Sequence, residues 1–210
     1  MKMTAYLLTT VLIAIIVAPT VVVSIENGQE RTNRKLLSKD REEAKNTEVA
    51  VVYFSRSGNT AVMAKTIAKI FNADLINIDA SKYKIGFWGL TEAARSYQDR
   101  EVEIDPKELD LSKYKKVFLG SPIWFYRPSP PIFEFAKNNK FNAKDVVLFN
   151  SYNSNFGQDH IDEFKSIVMS NGAKSFDHKA VKRGRMGSQI STAKFINIIE
   201  NKFSKGENDE

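Results

Sequence analysis

The chain has 210 residues, 42% of them hydrophobic, enough to bury one domain-sized core. Cysteine is absent, which excludes disulfide frameworks, thiolate metal sites and cysteine nucleophiles, so any electron chemistry needs a bound cofactor. The net charge of +6 is spread without long runs of one sign or a basic patch interleaved with aromatic residues, which argues against nucleic acid as a partner.

Residues 5–25 are apolar and uncharged, preceded by Lys2 and followed by Glu26, and the stretch is long enough to span a bilayer. Beyond it Arg31, Arg34, Lys35, Lys39 and Arg41 outnumber the single Lys2 before it, so the positive-inside rule places the globular part in the cytoplasm. The alternative is a signal peptide with a helix-breaking Pro19 and a cleavage site near Val22-x-Ser24, which would export the domain. Residues 1–25 are thus expected to be a membrane anchor or a signal peptide. Residues 26–47 are polar, mixed in charge and free of aromatic side chains, and read as a linker or a frayed helix joining the N-terminal segment to the domain. Residues 48–203 read as the domain, and 204–210 as a tail.

Within the domain, apolar runs rich in β-branched or aromatic residues alternate with helical patterns. This predicts an α/β fold, a doubly wound parallel sheet of five strands with helices on both faces, preceded by the N-terminal hydrophobic helix. Strands are expected at 49–54, 75–78, 116–120, 146–150 and 175–180, and helices at 60–71, about 89–97, 131–138, 160–170 and 191–203.

The first strand runs straight into Ser55-Arg56-Ser57-Gly58-Asn59-Thr60 and then into a helix. Such a turn aims several backbone N–H groups and the positive end of a helix dipole at one small volume, which favours an anion. Gly58 allows close approach of the backbone, and Ser55, Ser57, Asn59 and Thr60 add side-chain donors. The turn lacks the Gly-Lys-Ser/Thr ending of a P-loop and has one glycine where a dinucleotide fingerprint has three, which disfavours ATP and NAD as its ligand.

These six residues resemble the phosphate loop of the flavodoxin family, Ser/Thr-x-Ser/Thr-Gly-Asn-Thr, which grips the terminal phosphate of flavin mononucleotide (FMN). The resemblance covers about 48–203. It implies a short-chain flavodoxin-like sheet of order 2-1-3-4-5, with the ligand crevice at the carboxyl ends of the first and third strands. The loop expected after the third strand, Ser121-Pro122-Ile123-Trp124-Phe125-Tyr126, suits that crevice, because its aromatic residues offer a flat ring a stacking surface. The order Gly-Ser-Pro-x-Trp here also resembles the second flavin loop of flavodoxin-like and quinone-reductase-like proteins. After the fourth strand, Asn150, Ser151, Tyr152, Asn153 and Gly157 are positioned for the polar edge of the flavin, with a helix-capping turn as the alternative reading.

The resemblance implies FMN as cofactor and electron exchange as function. The expected activity passes electrons from a nicotinamide nucleotide, NADH or NADPH, to a quinone-like acceptor. The alternatives are a one-electron carrier serving a redox partner protein, and a membrane-tethered interaction module. Family members that carry electrons are typically acidic, whereas here Arg56 and Arg127 flank the expected site, which implies a less negative flavin potential. Residues 83–89, with Phe87 and Trp88, read as a loop tucked on the core, with a rim of the substrate or partner site as the alternative. Lys179, Lys182, Arg183 and Arg185 read as solvated surface, with a nicotinamide nucleotide phosphate, an anionic lipid or an acidic protein as the alternative partner. His160 and His178 have no second ligand at metal spacing and read as structural. A receiver domain of the same fold needs acidic residues where Tyr53, Phe54 and Ser55 stand, and a low-molecular-weight phosphatase needs a cysteine.

Overall fold

Val49–Tyr53 (β1), Lys116–Trp124 (β3) and Asp145–Tyr152 (β5) bury their central residues in succession, as strands covered by helices on both faces must. Asp74–Asn77 (β2) and Ser175–Lys182 (β6) are the edges, and their burial is only partial. In this computed structural model, which describes residues 2–38, 47–99, 101–185 and 187–204 and the side chains of all of these except 2–16, 18 and 36, the strands form a parallel sheet of order β2-β1-β3-β5-β6. Arg127–Pro128 (β4) folds back antiparallel on the end of β3. With β4 set aside, the order is the 2-1-3-4-5 expected from the sequence.

Helices cover both faces. On one, Val51, Phe118, Val147 and Phe149 pack against Val62, Met63 and Ile67 of α2 (Asn59–Phe71) and Phe195, Ile199 and Phe203 of α6 (Thr192–Ser204). On the other, Ala50, Val52, Val117, Leu119, Val146 and Leu148 meet Ala93 of α3 (Phe87–Arg95), Ile132 and Phe135 of α4 (Pro130–Asn138) and Phe164 and Val168 of α5 (Gln158–Ser170). Each strand therefore divides its side chains between two cores by the period-2 pleat, and each fully buried aliphatic or aromatic side chain contributes about 1.5–3 kcal/mol of burial.

Two regions depart from the sequence-based expectation. β3 does not end at Gly120 but continues to Trp124, because Ser121 and Pro122 pair with Asn150 and Ser151 of β5 while Ile123 and Trp124 pair with β4. The second is residues 26–37, expected as a linker or a frayed helix: they continue a helix that begins near the N-terminus, α1 (Lys2–Leu37), and that helix packs on the domain. Glu26 and Asn33 on that helix are buried against the domain, and such contacts explain why a polar segment stays ordered. Among the described residues no helix is long and apolar enough to cross a membrane. Most side chains of the apolar stretch 5–25 lie outside the described residues, as do 39–46 of the expected linker and 205–210 of the tail.

Gly120 is where the ring of Phe149 rests: a Cβ there would come within 2.1 Å of a ring that is itself fully buried. Gly120→Ala must push that ring aside, and the expected cost is about 1–3 kcal/mol of unfolding free energy in urea denaturation. An unchanged midpoint would mean that the core re-seats the ring freely.

Candidate functional site

The turn from β1 into α2 is fixed at both ends. Phe54 N–H donates to the Gly120 carbonyl at 2.9 Å, and Gly58, at φ +85°, caps α2 in the left-handed conformation that glycine adopts without strain. Thr60 hydroxyl meets Ser151 hydroxyl at 2.8 Å, which ties the turn to the end of β5. The turn thus sits where the strand order reverses between β1 and β3, the place at which open α/β sheets bind ligands.

Beside it lies a cavity of about 290 Å³, lined by Ser55, Arg56, Ser57, Asn59 and Thr60 of the turn, by Pro122, Ile123, Trp124 and Phe125 of β3 and its hairpin, by Ser151 and Asn153 after β5, by Leu90, Ala93 and Ala94 of α3, and by Glu26 of α1. Its chemistry is divided. Hydroxyls, an amide and a guanidinium stand at the turn, and apolar side chains form the walls farther along. Trp124 is held edge-on by Phe54 and Tyr83, at 5.7 and 5.1 Å between ring centres, so the core fixes its position. Phe125 is 54% exposed and lies on Tyr97 at 4.5 Å. Phe125 and Tyr126 have φ of 46° and 70°, and they close the β3–β4 hairpin as a tight turn in left-handed backbone that costs most side chains about 1–2 kcal/mol.

Of the residues singled out from sequence, Ser55, Arg56, Ser57, Asn59, Thr60, Pro122, Ile123, Trp124, Phe125, Ser151 and Asn153 come together around this cavity. The structure places Ser121, Asn150, Tyr126, Tyr152 and Gly157 elsewhere. Ser121 is fully buried and bonded to Ser129 hydroxyl at 2.9 Å, and Asn150 donates to the Ser121 carbonyl at 2.8 Å. Both sit in strand, where alternate residues face opposite ways, so each turns inward while its neighbour, Pro122 or Ser151, faces the cavity. Tyr126 is exposed, with its carbonyl accepting from Gly157 N–H, and Tyr152 packs edge-on against Phe156. Gly58 is not among the cavity-lining residues and acts through its left-handed backbone at the start of α2.

Glu26, Leu90, Ala93 and Ala94 were not anticipated from sequence. The apolar i, i+3, i+4 spacing of the α3 residues was a legible signal for a buried helix face. A lone Glu after an apolar run gave none. Within residues 83–89, Tyr83 is buried as a loop tucked on the core would have it, whereas α3 starts at Phe87 and Trp88 is 80% exposed. Arg183, grouped in the sequence with solvated cations, turns inward. It is 5% exposed, donates from Nε to Asn59 Oδ1 at 3.2 Å, and is held by the Ile190 carbonyl and Thr192 hydroxyl.

The charge at the cavity also differs from expectation. Arg127 does not reach it but lines a separate groove with Glu163, lying over the Phe133 ring. Arg56 does reach it, with its side chain 5% exposed and ion-paired to Glu26. Among the described residues, three buried polar atoms at the cavity have no hydrogen-bond partner: Ser55 Oγ, Arg56 Nε and Glu26 Oε2. Unsatisfied buried polar atoms each carry a desolvation cost of about 1–3 kcal/mol, so this is where a polar ligand gains most. The donor set, two serines, Asn59, Thr60, the amides of a helix start and a guanidinium, fits a phosphate monoester.

A family model described as flavodoxin matches residues 48–183. A solved structure from Bacteroides uniformis, assigned as a flavoprotein, is similar at 19% identity, with a TM-score of 0.56 over 74% of this chain and 99% of that one. Another, from Bacteroides eggerthii and assigned likewise, is similar at 18% identity with a TM-score of 0.53, covering 74% and 97%. At such identities the likeness is one of fold. No curated protein matches the chain significantly.

A partly buried polar chain joins three strands: His178 Nε2 on β6 meets Asn150 Oδ1 at 2.9 Å, and Asn150 in turn donates to the Ser121 carbonyl. Because the Asn150 amide donates to Ser121, its oxygen faces His178, and the bonding assigns the ring proton to Nε2. Burial pulls the His178 pKa down from 6.5 to about 4, with Asp177 opposing the shift and Lys202 adding to it. The unfolded chain therefore binds a proton that the folded chain refuses in this window, and stability is lost as pH falls from about 6.5 to 4. Urea midpoints measured across that range should fall with acid, and His178→Gln should flatten the slope; an identical slope in the variant would assign it to other groups.

Proposed function

Because the chain belongs to the flavodoxin family, we propose that this cavity binds FMN and that the domain is an oxidoreductase taking electrons from NADH or NADPH and passing them to a quinone-like acceptor. One observation carries the flavin assignment: an anion-seeking turn, whose Ser55 Oγ and Arg56 Nε have no partner among the described residues, opens directly into an apolar slot between α3 and the hairpin after β3.

The flavin, when bound, supplies the electron exchange, which no side chain of a chain without cysteine can supply cleanly. The chain's own residues would bind and orient it. Ser57, Asn59, Thr60 and the amides at the start of α2 would hold the phosphate, with Arg183 keeping Asn59 in place. Leu90, Ala93 and Ala94 would cover one side of the ring and Trp124 and Phe125 the other, excluding water. Ser151 and Asn153 would take the polar edge.

The basic balance of the chain supports the oxidoreductase over an acidic-type carrier, since a +6 protein has no reason to be steered toward the basic reductases that acidic carriers serve. An electron donor of the nicotinamide class also favours work in the cytoplasm, in keeping with the cations that follow residue 25. In the test, FMN is added to the purified protein and the visible spectrum is followed as NADH or NADPH is introduced anaerobically. The expected result is a protein-bound flavin band that bleaches within the turnover time of an ordinary enzyme, about a second or less. A bound flavin that ignores both nucleotides refutes the oxidoreductase and leaves the carrier, and a protein that takes up no flavin refutes the cofactor.

A further inference from the structure

The last turns of α1 lie against the turn at which an anion is expected. Glu26 pairs with Arg56, and their side chains are 4% and 5% exposed. Three residues further on, Gln29 donates to Asn59 Oδ1 at 2.7 Å, and Asn33 donates to the Ser57 carbonyl at 2.9 Å. Contact is close enough that a Cβ on Gly58 would stand 2.7 Å from the Cβ of Asn33. α1 thus engages Arg56, Ser57, Gly58 and Asn59, the same stretch whose donors suit a phosphate.

The electrostatics say why an acid is there. A buried guanidinium without a counter-anion is strongly unfavourable, and Glu26 supplies one from within the chain. The match is incomplete: among the described residues Glu26 Oε2 and Arg56 Nε lack partners, and burial raises the Glu26 pKa against the opposing effect of Arg56. A phosphate brought to this turn meets a carboxylate already in place. Two like charges a few ångströms apart in a partly dry site repel strongly, so both do not stay.

Building on the flavin reading, we propose that Glu26 is an internal competitor for the anion subsite: it weakens binding of phosphorylated ligands selectively, and a phosphate that binds displaces residues 26–37 of α1 from the turn. The selectivity is the signature. A ligand with the same ring and chain but no phosphate gains little when the carboxylate is neutralised, because it does not contest that position.

The test uses the full chain and two ligands, FMN and riboflavin, with affinities from flavin fluorescence quenching. Glu26→Gln should tighten FMN by roughly tenfold or more and change riboflavin by less than about threefold. The double variant Gln29→Ala/Asn33→Ala keeps the ion pair and loosens the helix, so it guards against a Glu26→Gln chain that does not fold; it should tighten FMN by about threefold. Saturating FMN should speed hydrogen exchange of residues 26–37 while slowing it at 55–60. Equal changes for both ligands, an unchanged FMN affinity in both variants, or slower exchange of 26–37 with FMN would overturn the proposal. If neither flavin binds the wild type or the variants, the flavin reading fails by itself; competition is then read from inorganic phosphate in calorimetry, where tighter binding to Glu26→Gln upholds it and equal binding ends it.

Discussion

A buried positive charge without freely available water must be matched, and Arg56 is that charge. It stands at the end of β1, beside the start of α2, where the helix dipole and the free amides of the first turn add to its field. The surroundings answer to this concentration of positive potential. Glu26 is drawn against it from α1, and Asn59 is gripped from three sides, by Gln29, Asn33 and Arg183. An anion of some kind belongs there, and the interest of the site lies in which one it is.

The sheet makes this concentration possible by bringing distant parts of the chain to one edge. β1 and β3 are neighbours with their helices on opposite faces, so their carboxyl ends diverge and leave a crevice. β3 then runs past the core and turns back through Phe125 and Tyr126, both in left-handed backbone, which holds an aromatic hairpin beside the crevice at some cost in strain. α3 supplies the facing wall through small side chains, Ala93 and Ala94, which leave room for something flat. The site is polar where the backbone converges and apolar where side chains do, and this matches a ligand with an anionic tail and a planar head.

Much of this was legible in the sequence, for reasons of range. The strands announce themselves by β-branched runs, and their continuous apolar character told of helices on both faces. The phosphate-type turn is local, six consecutive residues, and stands where it was expected. Long-range pairing was not legible. That Ser121 and Pro122 continue β3 depends on Asn150 and Ser151 lying opposite, and this pairing decides that Ser121 and Asn150 face inward. The burial of Arg183 depends on Asn59, more than a hundred residues away in the chain. That residues 26–37 would dock was not legible, because nothing in their own composition requires a partner; as a linker or a frayed helix they are held by what the domain offers them, the Arg56 guanidinium and the Ser57 carbonyl.

The most direct measurement is the phosphorus resonance of FMN titrated with the protein and followed between about pH 5 and pH 8, the range in which a free phosphate monoester changes charge around its second pKa near 6. A phosphate enclosed by the amides of Ser57, Asn59 and Thr60 and by Arg56 is held as the dianion. Its resonance should move away from the free position and stop responding to pH across that range. A resonance that stays at the free position and titrates as in solution would show that the turn holds no phosphate, and would contradict the account at its root.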